Sequence, residues 1–122
     1  MNPQVRGIRG ATVCEANTQM AILGATEELL GRMLADNQLA KEDIASIFFS
    51  VTRDLNVEFP AVAARHMGLS QAALLCLNEI SVEGSLERCI RLLIHANMTV
   101  PQAQVKHIYL REAARLRPDM VG

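Results

Sequence analysis

The sequence has no tryptophan and a single tyrosine; its only other aromatics are Phe48, Phe49 and Phe59. Any core built from it must be mostly aliphatic. Charge is also scarce: Asp, Glu, Lys and Arg make up 20% of the residues, against about 25% in an average soluble domain. That shortfall hints at surface covered by other subunits. No positive excess exists, because the net charge is -1, and a nucleic-acid backbone would find no basic field. No stretch approaches the ~20 apolar residues that a membrane helix needs. Arg6 and Arg9 interrupt any apolar run near the N-terminus, so no signal segment is expected. The three cysteines, Cys14, Cys76 and Cys89, are odd in number and form no CxxC pair. They read as reduced thiols, and the expected compartment is the cytoplasm. There is no GxGxxG and no Walker pattern, so nucleotide binding has no support. His66, His95 and His107 match no metal-ligand spacing, and structural roles are expected of them.

A chain of 122 residues fits one domain, 1–122, able to bury roughly two thirds of its unfolded surface without staples. Residues 5–13 read as a short strand in which Gly7 and Gly10 permit a bulge or a close backbone approach. Residues 18–36 predict the one long helix. Ile22, Leu23, Leu29, Leu30, Met33 and Leu34 fall on one stripe, Asn17 or Thr18 caps the start, and Asn37 ends it. Residues 44–51 are rich in β-formers and predict a buried strand. Pro60 opens a short helix through Met67 that Gly68 closes, residues 72–77 predict a strand, and residues 78–85, with Gly84, a turn. Residues 86–97 are ambiguous: Leu86, Cys89, Ile90, Leu93 and Ile94 fit helical spacing, while Ile90, Leu92 and Ile94 also alternate. The pattern leans towards helix. Residues 105–110 alternate well and predict a strand, and the tail after Ala114 reads as a loose end. The fold class is α+β or mixed α/β.

Only Lys41 and Lys106 are lysines; an arginine-heavy cation set suits two-pronged recognition of carboxylate or phosphate. Arg9 lies in an apolar, glycine-flanked strand, and Arg91 lies within Cys-Ile-Arg-Leu-Leu-Ile. A guanidinium among apolar neighbours requires an anion. That anion is a ligand or a structural carboxylate, and Glu79 is the obvious candidate for the second.

Seven segments, in order, carry a resemblance. They are Arg6 to Thr12 (Arg-Gly-Ile-Arg-Gly-Ala-Thr); Thr52-x-Asp54-Leu55 with Phe59-Pro60-Ala61 and Ala64-Arg65; Cys76-x-x-Glu79; Cys89-Ile90-Arg91; Val100-Pro101-Gln102; His107-Ile108-Tyr109-Leu110; and Leu116-Arg117-Pro118-Asp119. Together they span nearly the whole chain, which resembles the monofunctional bacterial chorismate mutases of the trimeric pseudo-α/β-barrel class. That resemblance implies a five-stranded mixed sheet packed on one long helix, three chains assembling into a pseudo-barrel, and active sites at the subunit seams. It makes residues 86–97 a strand. It also implies a pericyclic conversion of chorismate to prephenate in aromatic amino-acid biosynthesis, with no cofactor and no metal.

Roles follow by position in this sequence. Arg91 is expected to donate to the breaking ether oxygen, and Glu79 to face the ring and its hydroxyl. Cys76 is expected to assist at that hydroxyl. Arg9 is expected to bind a carboxylate beside Tyr109, Phe59 and Leu116 to wall the pocket, and Arg65 and Arg117 to stand at its mouth. Relatives often carry a lysine where this chain has Val62, so a weaker capture of the dianion is expected, seen more in KM than in kcat. Three other readings compete: a non-catalytic trimeric module binding a carboxylated metabolite, a small trimeric enamine/imine deaminase, and a cysteine hydrolase using Cys76.

Overall fold

The computed structural model describes residues 2–116. Strand β1 (Gln4–Val13) leads into helix α1 (Gln19–Asp36), strand β2 (Ile44–Val51), the short helix α2 (Ala61–His66), and strands β3 (Ala73–Asn78), β4 (Cys89–Met98) and β5 (Ile108–Tyr109). The strands form one mixed sheet in the order β3-β2-β4-β1-β5. β4 runs antiparallel to both β1 and β2, while β3 is parallel to β2 and β5 to β1. The expected mixed α+β architecture with one long helix therefore stands. No helix among the described residues is long and apolar enough to cross a membrane.

Helix α1 begins where Thr18 accepts the Ala21 N–H through its side chain at 3.1 Å, leaving one fewer unpaired amide in the first turn. Ile22, Leu29, Leu30 and Met33 are buried, and Glu27, Glu28 and Arg32 point outward, as the 3.6-residue period demands. Thr26 is also buried, and its hydroxyl donates to the Ile22 carbonyl at 2.7 Å. The sheet face beneath α1 is formed by alternate residues: Ile47, Phe49 and Val51 of β2 lie beside Ile94, Leu92 and Ile90 of β4. A side chain at Gly10 would place its Cβ 2.4 Å from the Met33 sulfur. The close backbone approach expected of that glycine is thus the crossing of α1 over β1. Gly7 meets only ordinary contact, with Leu93 at 3.8 Å.

Two pattern-based expectations fail. Residues 89–98 are strand, not helix. The strand lies at the centre of the sheet, flanked by β1 and β2. Cys89 and Leu93 on its second face are apolar too, and those additions to the alternating Ile90, Leu92 and Ile94 imitate helical spacing. The strand expected over residues 105–110 shrinks to Ile108–Tyr109. Lys106 finds its partner in a side chain instead: its N–H donates to Asn37 Oδ1, and its carbonyl accepts from Asn37 Nδ2, both at 2.9 Å. After β5 a 3₁₀ turn, Arg111–Arg115, buries Ala113 and carries the chain to Leu116. The rest of the expected tail, from Arg117, lies outside the described residues.

Candidate active site

The second face of the sheet is the one turned away from α1. Strand alternation places Phe48 and Ser50 of β2, Arg91, Leu93 and His95 of β4, and Arg9 of β1 on it. A cleft of about 270 Å³ opens there, lined by Arg9, Gly10, Phe48, Ser50, Glu79, Arg91, Leu92, Leu93 and Tyr109. Arg91 stands on the central strand with small neighbours in register, Ser50 on one side and Ala11 on the other. Those small residues leave room for a guanidinium to extend over the sheet. Tyr109 pairs with Ala11 from the far side, so Arg91 and Tyr109 flank the same alanine. The backbone N–H of Arg9 donates to His107 Nδ1 at 2.9 Å.

Glu79 follows β3 directly. Its N–H donates to the Val51 carbonyl at 2.8 Å, which turns the chain over the end of β2. Its Oε2 lies 3.7 Å from Arg91 Nη1, with side-chain exposures of 23% for Glu79 and 44% for Arg91. At that distance the pair attracts but forms no hydrogen bond. Both side chains line the open cleft, the guanidinium beside the acid.

The other expected residues fall elsewhere. Phe59 and Cys76 line a second cleft of about 570 Å³ with Val57, Pro60, Leu77 and others. Cys76 lies on the core-side face of β3, in register with Phe49, and Phe59 is 68% exposed. Arg65 is exposed on α2, and Leu116 is half-buried after the 3₁₀ turn; neither lines the two clefts. Arg117 lies outside the described residues. The chain thus brings together Arg9, Glu79, Arg91 and Tyr109, and holds Phe59 and Cys76 apart from them. Sequence reasoning missed Phe48, Ser50 and Leu93. Their signal was the alternation in β2 and β4 once Phe49 and Leu92 are assigned to the core.

Burial raises all three thiols. Cys14 is pushed up to about 11 by desolvation, with Cys89 nearby adding to the rise. Burial lifts Cys76 above the usual thiol value, against weaker opposing pulls from the Ala61 backbone and the Arg65 charge. Burial lifts Cys89 too, with the Arg91 guanidinium pulling the other way. A protonated Cys76 is a poor nucleophile. The histidines are engaged separately. His95 bonds Ser46 Oγ at 3.0 Å and meets the Phe48 ring edge-on, and His66 lies 3.9 Å from Glu27.

Known proteins resemble this chain over nearly its whole length. The family model for chorismate mutase type I matches residues 5–120. The chain is 50% identical to the chorismate mutase of Thermus thermophilus, covering 95% of this chain and 96% of the relative. It is 39% identical to that of Bacillus subtilis (strain 168), over 95% and 92%. A solved chorismate mutase from Clostridium thermocellum superposes with a TM-score of 0.88 at 48% identity, over 89% of this chain and 97% of the other. With its sheet, its arginine-lined cleft and matches over nearly its full length, this chain belongs to the chorismate mutase type I family.

Proposed function

We propose that this chain converts chorismate to prephenate in a cleft built around Arg91 and Glu79, and that a second copy completes each site. The family and its relatives carry the reaction itself. In that rearrangement an ether carbon–oxygen bond breaks while a carbon–carbon bond forms in a chair-like arrangement. No nucleophile or proton transfer is required, so the barrier falls through restricted conformation and placed charge. The observation that carries the assignment of roles is the 3.7 Å Arg91–Glu79 pair beside an open cleft. Arg91 donates to the ether oxygen as it becomes anionic. Glu79, beside Arg91 in the cleft, balances positive charge developing on the ring and accepts from the substrate hydroxyl. Arg9 binds a carboxylate, with Tyr109 beside it.

A homotrimer fits the division of the site. Phe59 and Cys76 sit in a separate cleft at the β3 edge, where Leu75 and Leu77 leave half their surface exposed. Packing that edge over a neighbour's open sheet face would cover these apolar groups. It would also place Phe59, Cys76 and Arg65 against the neighbour's Arg91. The mass in solution should be three times the 13.4 kDa of one chain; a monomer at micromolar concentration would end this part of the reading. A cytoplasmic location and the use of no cofactor belong to the same proposal.

The competing functions are less well supported. A module that merely binds a dianion gains nothing from a carboxylate at the guanidinium, and Glu79 is there. The thiol of Cys76 is raised by burial, which disfavours a hydrolase. No feature of the cleft favours a deaminase.

The decisive assay follows loss of the chorismate enol-ether absorbance. Acceleration over buffer is expected, and its absence would remove the assignment. Glu79→Ala should lower kcat by roughly a hundredfold, with Glu79→Gln intermediate because it still accepts a hydrogen bond. Unchanged kcat in both would show that Glu79 plays no part. Cys76→Ala should keep substantial activity, and complete inactivity would bring back a nucleophilic role.

A further inference from the structure

Thr52 and Asp54 belong to one of the seven segments that carry the resemblance, yet neither lines the Arg91 cleft. They hold the backbone on which Arg91 is mounted. Arg88, the residue before β4, has φ +49°. A residue with a side chain adopts that left-handed conformation only where its surroundings hold it there. The Asp54 carboxylate accepts the Arg88 N–H through both oxygens, at 3.2 and 2.9 Å. The Thr52 hydroxyl donates to Asp54 Oδ1 at 2.5 Å and accepts the Cys89 N–H at 3.0 Å. The Thr52 N–H donates to the Cys89 carbonyl at 3.1 Å. Arg88 is fixed from the other side as well: its Nε donates to the Cys14 carbonyl at 3.0 Å.

These bonds converge on the end of β2. On one flank the Val51 carbonyl holds Glu79. On the other, Thr52 and Asp54 hold Arg88 and Cys89. Arg91 stands two residues beyond Cys89, on the same face of β4. A shift in the first residues of β4 therefore moves the guanidinium relative to Glu79. The Asp54 carboxylate is directed at main-chain amide, not at a guanidinium: the Arg88 guanidinium has its own acid in Glu87, at 3.7 Å.

We propose that Thr52 and Asp54 are a positioning pair for the rearrangement: by clamping the N–H groups of Arg88 and Cys89 to the end of β2, they set the separation between Arg91 and Glu79. The inference rests on the roles given above to Arg91 and Glu79.

The test is steady-state kinetics on Asp54→Ala, Asp54→Asn and Thr52→Val, each also in an Arg91→Lys background, with thermal denaturation as the control for folding. Asp54→Ala should lower kcat roughly ten- to a hundredfold, the range for a small misplacement of a reacting group, with KM changed far less. Asp54→Asn keeps an oxygen for the Arg88 N–H and should restore most of kcat. Thr52→Val, of nearly the same shape, should reproduce the kcat loss even if Asp54→Ala does not fold. In the Arg91→Lys background the Asp54 and Thr52 changes should have little further effect, because they act through the guanidinium. Equal losses in both backgrounds, a change confined to KM, or no loss in any folded variant would each overturn the proposal. Full activity of Arg91→Lys alone would instead refute the underlying role of Arg91.

Discussion

Arg91→Ala should lower kcat by roughly a thousandfold, equivalent to about 4 kcal/mol of barrier. The magnitude follows from what the cleft offers. A preorganised donor aimed at developing negative charge is the largest single contribution available to a reaction with no covalent or proton-transfer step. Arg91 is mounted on the central strand, between Ser50 and Ala11, and not on a loop, so little reorganisation is needed at the moment of bond breaking. Its side chain is 44% exposed in the single chain and forms no close bond to Glu79. Stability should therefore move by less than about 0.5 kcal/mol. A normal melting temperature with lost turnover is the expected signature. A variant within tenfold of the parent kcat would show that the charge is not used in the transition state.

The largest effect on stability should come from Phe49→Ala, at about 3–5 kcal/mol. Phe49 is fully buried, the largest such side chain in the core, and stands in register with Leu92 on one side and Cys76 on the other. The core holds few other rings to close over the void, since aromatics are only 3% of the chain. The loss is large against the 5–15 kcal/mol by which a typical domain is stable. A urea titration should show the midpoint falling sharply, with Phe49→Leu between the two. Midpoints that coincide for all three proteins would mean that the site refills from its aliphatic neighbours.

The elements with one period and one face were legible in the sequence. Helix α1 follows from its stripe and its Thr18 cap, and β2 follows from its β-branched and aromatic run. Strand β4 was not legible from pattern, because apolar residues on both its faces erase the alternation that marks a half-exposed strand. The resemblance supplied it. The short β5 misled in the opposite direction: good alternation over residues 105–110 was satisfied by the Asn37 side chain instead of a ladder. At the site, a guanidinium in an apolar run announced Arg91, and the apolar strand announced Arg9. That Cys76 and Phe59 stand apart from Glu79 could not be read from the spacing Cys76-x-x-Glu79. The three residues cross from the core side of β3 to the open face of the sheet at the end of β2. The clamp of Thr52 and Asp54 was visible as a motif, but its purpose emerges only when the left-handed Arg88 is brought beside it.

The pairing of β1 with β4 joins Gln4 to Met98 and Val13 to Cys89, so β1 finds this ladder partner far along the chain. Until β4 has been synthesised, the segment bearing Arg9 lacks this ladder. Contacts so distant along the chain slow folding, because a long loop must close before they form. The two arginines of the cleft therefore come together only once β4 has been made and paired, and a product that stops before β4 lacks the cleft.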